Sequence, residues 1–485
     1  MTKPTFYWHD YETWGSDPSR DRPCQFAGLR TDLDLNPVGD PLVLFARPAD
    51  DLLPQPDACL VTGITPQQAL AEGVPEWDFA AAIRRELAQP DTCGVGYNSI
   101  RFDDEITRHL FYRNLIDPYA HAWQHGNSRW DLIDTLRLAH ALRPGGLQWP
   151  EREPGVTSFR LEDLTAANGI AHDGAHDALA DVRATLALAR LLKAVQPRLF
   201  DYALSLRDQR RVRAMVDRGE PLLHVSARYP AESGCIAPVA IVAPHPTNPK
   251  SVIAFDLRTD PSVLLDLDAN AVRERVFTRA DELPDGVERL PLKGIRLNAA
   301  PVLAPMATLT AESAARWRID PPAVQRHARQ LASAGIELAE KIAEVWRDKE
   351  GRGEPDDPEL MLYSGPFFSA ADRRRMDELR ARDPASLADA IDFDDRRLST
   401  LLFRLRARNW PETLTEEERE DWDAWRLDRL TEPESAAGGT ASITLDDYQQ
   451  RLAELRAESA GTPNRLVLLD TLEAWADQIM DAGTL

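Results

Sequence analysis

A chain of 485 residues with 57 basic and 79 acidic side chains has a formal charge of −22, so taken whole it lacks the basic surplus that usually accompanies phosphate binding. Its 43% hydrophobic content, with 12 Trp, 14 Phe and 9 Tyr, can bury several cores and excludes a disordered chain, and the length suggests roughly three domains. No run of about 18 apolar residues spans a membrane, the first ten residues lack a signal-peptide core, and Cys24, Cys59, Cys93 and Cys235 form no CxxC pair, which together fit a cytoplasmic protein with reduced thiols.

In chain order, Thr5–His9 is β-rich and aromatic and predicts a strand, with further strands at Gln25–Arg30 and Leu42–Arg47. A strand over Cys93–Tyr97 leads into a helix over Asp103–Leu115, and a second helix over Trp130–Leu142 stops at Arg143-Pro-Gly-Gly. Helices over Phe159–Asn168 and Ala175–Val195 follow, so residues 1–195 read as a mixed α/β sheet with flanking helices. Short apolar strands at Leu222–Ser226, Ile236–Val242, Val252–Leu257 and Val302–Ala304, with helices at Asn270–Phe277 and Ala323–Trp346, make 196–350 a β-rich unit. Glu350–Pro358 reads as a charged hinge and 351–485 as helical, broken by a small-residue stretch, Ala436–Ser442, expected to be a flexible loop. Charge is uneven along these parts: residues 1–200 sum to −9, 201–350 to zero and 351–485 to −13. Arg207, Arg210, Arg211, Arg213 and Arg218 form a local basic run, read as a solvated helix face.

Three short signals carry chemistry. At the end of the first strand, His9-Asp-Tyr-Glu-Thr places Asp10 and Glu12 on one face with Tyr11 opposite. Adjacent carboxylates repel, at a cost that a bound cation relieves. Where a strand passes into a helix, Asn98-Ser-Ile-Arg-Phe-Asp-Asp-Glu offers Asp103 and Asp104, either of which could be an ordinary charge at a helix N-terminus. At the start of the Ala/Leu-rich helix stands His176-Asp-Ala-Leu-Ala-Asp, where Asp177 and Asp181 share a face. Four carboxylates in one α/β unit suit Mg²⁺ or Mn²⁺, two such ions can clamp a phosphodiester displacement, and a histidine beside them can deprotonate the attacking water.

Asp10-x-Glu12, Asn98-x-x-x-Phe102-Asp103 and His176-x-x-x-x-Asp181 resemble the three motifs of the DEDDh 3′→5′ exonucleases, which have an RNase H-like fold. Within them, Leu60-Val-Thr-Gly-Ile-Thr-Pro-Gln, Arg101-Phe-Asp-Asp-Glu, Asn127-Ser-Arg-Trp-Asp-Leu, Ser158-Phe-Arg-Leu-Glu, Pro197-Arg-Leu-Phe-Asp-Tyr, Leu223-His-Val-Ser, Phe367-Phe-Ser and Arg406-Ala-Arg-Asn resemble the bacterial exodeoxyribonuclease I family over nearly the whole chain. That resemblance implies an exonuclease domain over 1–195, an SH3-like domain over 196–350 and a helical C-terminal domain over 351–485.

It further implies processive release of 5′-mononucleotides from single-stranded DNA in repair and recombination, with two Mg²⁺ ions, or Mn²⁺, on Asp10, Glu12 and Asp181. Asp103 completes the acidic set, with Asp104 as an exposed helix charge, and His176 is the general base. Arg160 is expected on a substrate phosphate, with Glu162 as the rival partner in a structural ion pair. Arg108, Tyr119, Trp123, Arg129, Arg137 and Lys293 are expected along the DNA. A monomer is expected, docking the acidic C-terminal tail of a single-stranded DNA-binding protein through Arg143, although Thr310 stands where a second basic residue is expected. Two other readings remain: an exoribonuclease of the same superfamily, and a silent scaffold that binds single-strand ends.

Overall fold

The computed structural model describes residues 3–172, 174, 176–347, 355–383, 386–387 and 391–481. Strand β1, Thr5–Thr13, buries residues on both faces, the pattern of a central strand. It pairs antiparallel with β2, Pro23–Thr31, and parallel with β4, Thr92–Gly96, while β3, Leu42–Phe45, flanks β2. The four lie in the order β3-β2-β1-β4. A parallel pair needs a long crossover. Three helices that the sequence reading omits, Pro56–Thr62, Pro66–Glu72 and Glu76–Leu87, fall in the connection from β3 to β4. The first two open on proline and the second is capped by the Thr65 hydroxyl, which accepts from the Gln68 amide. Tyr7, Tyr11, Phe26, Phe79, Ile106 and Leu110 pack one face of this sheet against the helices Glu76–Leu87 and Asp103–Arg113.

By contact density the chain forms two units: Met1–Asn127 with Asp173–Arg183 and Gly353–Leu485, and Ser128–His172 with Ala184–Arg352. In the second unit the helix expected from Trp130 begins at Leu132. Ser128–Asp131 is a strand, and the Asp131 carboxylate caps the Leu132–Leu142 helix by accepting from the Ile133 amide. Its larger sheet is antiparallel in the order Leu292–Arg296, Ser251–Asp256, Ile236–Pro244, Leu222–Val225, Val302–Pro305. The Leu292–Arg296 strand is an addition to the sequence reading. The helix Pro321–Arg347 breaks at Gly335, whose φ of 55° suits a residue without Cβ.

Residues 355–481 carry helices and no strand among the described positions. One expectation fails here. Ala436–Ser442 is packed rather than flexible: Gly438–Thr440 forms a helical turn, Thr440 is buried, and a Cβ on Gly438 would collide with the Glu432 carbonyl. Of the expected hinge, residues 350–354 lie outside the described set; near its C-terminal end Arg404 grips the buried Asp357 through two 2.7 Å hydrogen bonds.

That grip belongs to a buried ionic cluster inside the first unit. Asp51 accepts two bonds from Arg22, at 2.8 and 2.7 Å, and two from Arg408, at 3.1 and 2.8 Å. Arg408 also meets Glu359 at 2.6 Å, and Arg429 donates to the Asp51 carbonyl at 2.9 Å. Despite burial, these arginines hold the Asp51 and Glu359 carboxyls below the ordinary carboxylate range. The cluster joins the approach to β2 and the loop after β3 to the C-terminal helices Arg396–Asn409 and Glu416–Thr431. All four cysteines are buried free thiols, and among the described residues no helix is long and apolar enough to cross a membrane.

Candidate active site

The end of β1 presents Asp10 and Glu12 on one face. Tyr11 points the other way, with its hydroxyl 2.9 Å from Thr107 Oγ1, while its backbone amide donates to Asp103 Oδ1 at 3.2 Å. That bond ties the first residue of the Asp103–Arg113 helix to the strand between the two acids. The turn into this helix uses Asn98 at φ 63°, a left-handed conformation that asparagine tolerates. Asp181, in the first turn of Ala178–Val195, completes the approach: one carboxylate oxygen from each of Asp10, Glu12 and Asp181 lies within 4.8 Å of the others.

Electrostatics follow from this crowding. Burial first, and then the charges of Asp103, Glu12, Asp181 and Asp177, push the Asp10 carboxyl well above its ordinary range. Burial and then Asp181, Asp103 and Asp177 push Glu12 up to about 9. Such a set cannot ionise fully at neutral pH without a compensating cation. Oxygen-only donors fit Mg²⁺ or Mn²⁺.

His176 is exposed, in a turn closed by the Asp177 amide donating to the Gly174 carbonyl at 3.0 Å, immediately before the helix that carries Asp181. Its φ of 68° is left-handed, a strained state for a residue with a side chain. Asp104 corrects the sequence reading: it is buried, not exposed, and its charge acts on the buried imidazole of His9.

The expected substrate contacts fall in both units. Arg160 is exposed, with Glu162 at 3.8 Å, as its rival reading anticipates. Arg108 pairs with Glu105 at 2.5 Å and lies 5.9 Å from the Tyr119 ring centre, and Tyr119 donates to the Leu362 carbonyl. Trp123 is 65% exposed. Arg129 donates to the Asn298 carbonyl at 3.3 Å, and Arg143 to that of Thr308 at 3.1 Å. Arg137 is buried, paired with Asp134 at 2.6 Å and set over Phe159, while the Lys293 ammonium lies 3.7 Å from the Tyr229 ring centre. These last two cations therefore serve internal contacts here. Thr310 caps the helix Ala311–Arg316 by accepting from the Ser313 amide.

Sequence reasoning missed two aromatic residues beside Arg108. Tyr363 bonds both Arg108 and Glu105, and Phe367, 81% exposed, meets Tyr119 edge-on at 5.8 Å.

The chain is similar to known proteins along nearly all of its length. A family model described as Exonuclease matches residues 7–189, an Exonuclease I SH3-like domain matches 207–348 and an Exonuclease I C-terminal domain matches 356–479. An exodeoxyribonuclease I of Escherichia coli (strain K12) is 44% identical over 482 residues, covering 98% of each chain. That of Haemophilus influenzae is 42% identical over 460 residues, covering 94% of this chain and 95% of its own. Among solved structures, a moderately thermophilic exonuclease I from Methylocaldum szegediense aligns with a TM-score of 0.93 at 48% identity, over 98% of this chain and 99% of its own. E. coli exonuclease I in complex with a dA16 oligonucleotide aligns at 0.93 and 44%, over 98% and 100%.

Proposed function

The chain belongs to the exodeoxyribonuclease I family, and from that premise we propose that it digests single-stranded DNA from the 3′ end, processively and with Mg²⁺, releasing 5′-mononucleotides in DNA repair and recombination. The observation that carries this reading is the convergence of Asp10, Glu12 and Asp181 oxygens within 4.8 Å at the end of β1. Asp10, Glu12 and Asp181 would hold two Mg²⁺ ions, or Mn²⁺ in their place, whose charge would offset the carboxylates and stabilise the charge that develops at the phosphate. Asp103 adds negative charge while its bond to the Tyr11 amide fixes the strand. His176 takes a proton from the water whose oxygen bonds to phosphorus, the bond from phosphorus to the 3′ oxygen of the shortened strand breaks, that oxygen gains a proton from solvent to become a 3′ hydroxyl, and a 5′-mononucleotide leaves. Arg160, exposed and only loosely paired, is available to a substrate phosphate. Arg143 is our candidate contact for the acidic tail of a single-stranded DNA-binding protein.

Matched DNA and RNA oligomers of one sequence, at equal salt with Mg²⁺, test the proposal. The expected result is shortening of the DNA from its 3′ end to mononucleotides, abolished by a chelator and absent in Asp10→Ala. Preferential loss of the RNA would move the assignment to an exoribonuclease, and an intact oligomer in both wild type and Asp10→Ala would leave a binding scaffold.

Support for a single-stranded substrate also comes from Phe367 and Tyr363, exposed rings beside the half-buried Tyr119 on which bases can stack. Phe367→Ala is expected to weaken oligomer binding by about 1–3 kcal/mol, the usual worth of one stacked base, with kcat at saturation unchanged. Fluorescence anisotropy with a labelled oligomer measures it, and unaltered affinity would remove Phe367 from the DNA path.

A further inference from the structure

The catalytic histidine's turn is fastened to the sheet by one side chain that neither the motifs nor the acidic cluster includes. Gln25 lies on β2 directly opposite Glu12 in the antiparallel register, so the two side chains share a face of the sheet. Gln25 is buried and both ends of its amide are used: Nε2 donates to Asp177 Oδ2 at 3.2 Å, and Oε1 accepts from the Ala178 backbone amide at 3.1 Å. Asp177 in turn accepts from the Ala180 amide through Oδ1 at 3.0 Å, and its carbonyl accepts from the Asp181 amide at 3.0 Å. One glutamine thus connects the strand beside Glu12 to the first turn of the helix bearing Asp181 and to the residue after His176.

We propose that Gln25 is a positioning residue that sets the His176 turn and Asp181 against Glu12. This inference rests on the proposed exonuclease chemistry. A left-handed residue such as His176 keeps its conformation only where its surroundings over-determine it, and the two bonds from Gln25 supply that constraint on its C-terminal side. Gln25 touches neither water nor phosphate in the reaction; it acts through Asp177 and the helix start. The complementarity is directional: the amide gives a hydrogen to a carboxylate and takes one from a backbone N–H.

The test is a swap of donor and acceptor, scored on a single-stranded DNA oligomer with Mg²⁺. Gln25→Ala is expected to lower kcat about tenfold to a hundredfold, the range found when a group that orients a catalytic shell is removed, with oligomer affinity unchanged. Gln25→Glu is expected to fall at least as far, because it loses the hydrogen given to Asp177 and adds a charge facing Glu12 and Asp177. Asp177→Asn combined with Gln25→Glu restores one donor and one acceptor at the same places with the original net charge, and should recover most of the lost kcat. Full kcat in folded Gln25→Ala, or a double variant no better than Gln25→Glu, overturns the inference while leaving the exonuclease reading intact. A wild-type protein inert on the oligomer overturns both.

Discussion

Replacing His176 by alanine is expected to lower kcat by about 10²–10⁴, the span contributed by a positioned general base, and to leave affinity for single-stranded DNA and for divalent cations unchanged. The separation of effects follows from geometry. His176 stands exposed in a turn, outside the trio of carboxylates whose oxygens converge, so its loss removes a proton acceptor without removing negative charge. Glu12→Ala is expected to behave differently, with metal occupancy falling together with rate, because Glu12 is buried in that trio. Single-turnover digestion of a labelled oligomer, titrated with Mg²⁺, distinguishes the two. A rate lowered by His176→Ala but restored by raising Mg²⁺ would assign the histidine to metal retention, and an undiminished rate would place the general base elsewhere.

How much of this could be read from the chain depends on the separation over which each residue acts. Asp10 and Glu12 were legible because strand alternation alone puts them on one face. Asp103 and Asp104 were not separable by composition, since both open the same helix; the bond from the Tyr11 amide to Asp103 and the burial of Asp104 near His9 are tertiary facts. Gln25 was illegible for a stronger reason. Its role comes from a cross-strand register with Glu12 and from a partner 152 positions away, and neither leaves a local pattern. The short helices Pro56–Thr62 and Pro66–Glu72 begin on prolines, which a linear reading takes as turn signals. At Gly438 small-residue composition suggested looseness, whereas the glycine is needed because the Glu432 backbone occupies the space of its Cβ.

Asp51→Ala is the substitution expected to cost most in stability, about 3–5 kcal/mol, the range for removing one partner from a buried ion pair. The carboxylate is fully buried and takes four hydrogen bonds from Arg22 and Arg408, so its loss leaves two guanidinium groups short of their counter-charge in a water-poor interior. Asp377 provides the control: it is 66% exposed and 2.9 Å from Arg84, itself 39% exposed, so Asp377→Ala should cost about 1 kcal/mol or less. Thermal unfolding of the two variants beside the wild type measures the contrast, and equal losses would show that Asp51 acts by packing alone. Acid provides a second check with a definite sign. A carboxylate held below its unfolded value of about 3.9 contributes stability above that value and loses it only as pH falls through the lower folded value. The gap between wild type and Asp51→Ala should therefore stay constant from pH 7 to about 5 and close only in stronger acid.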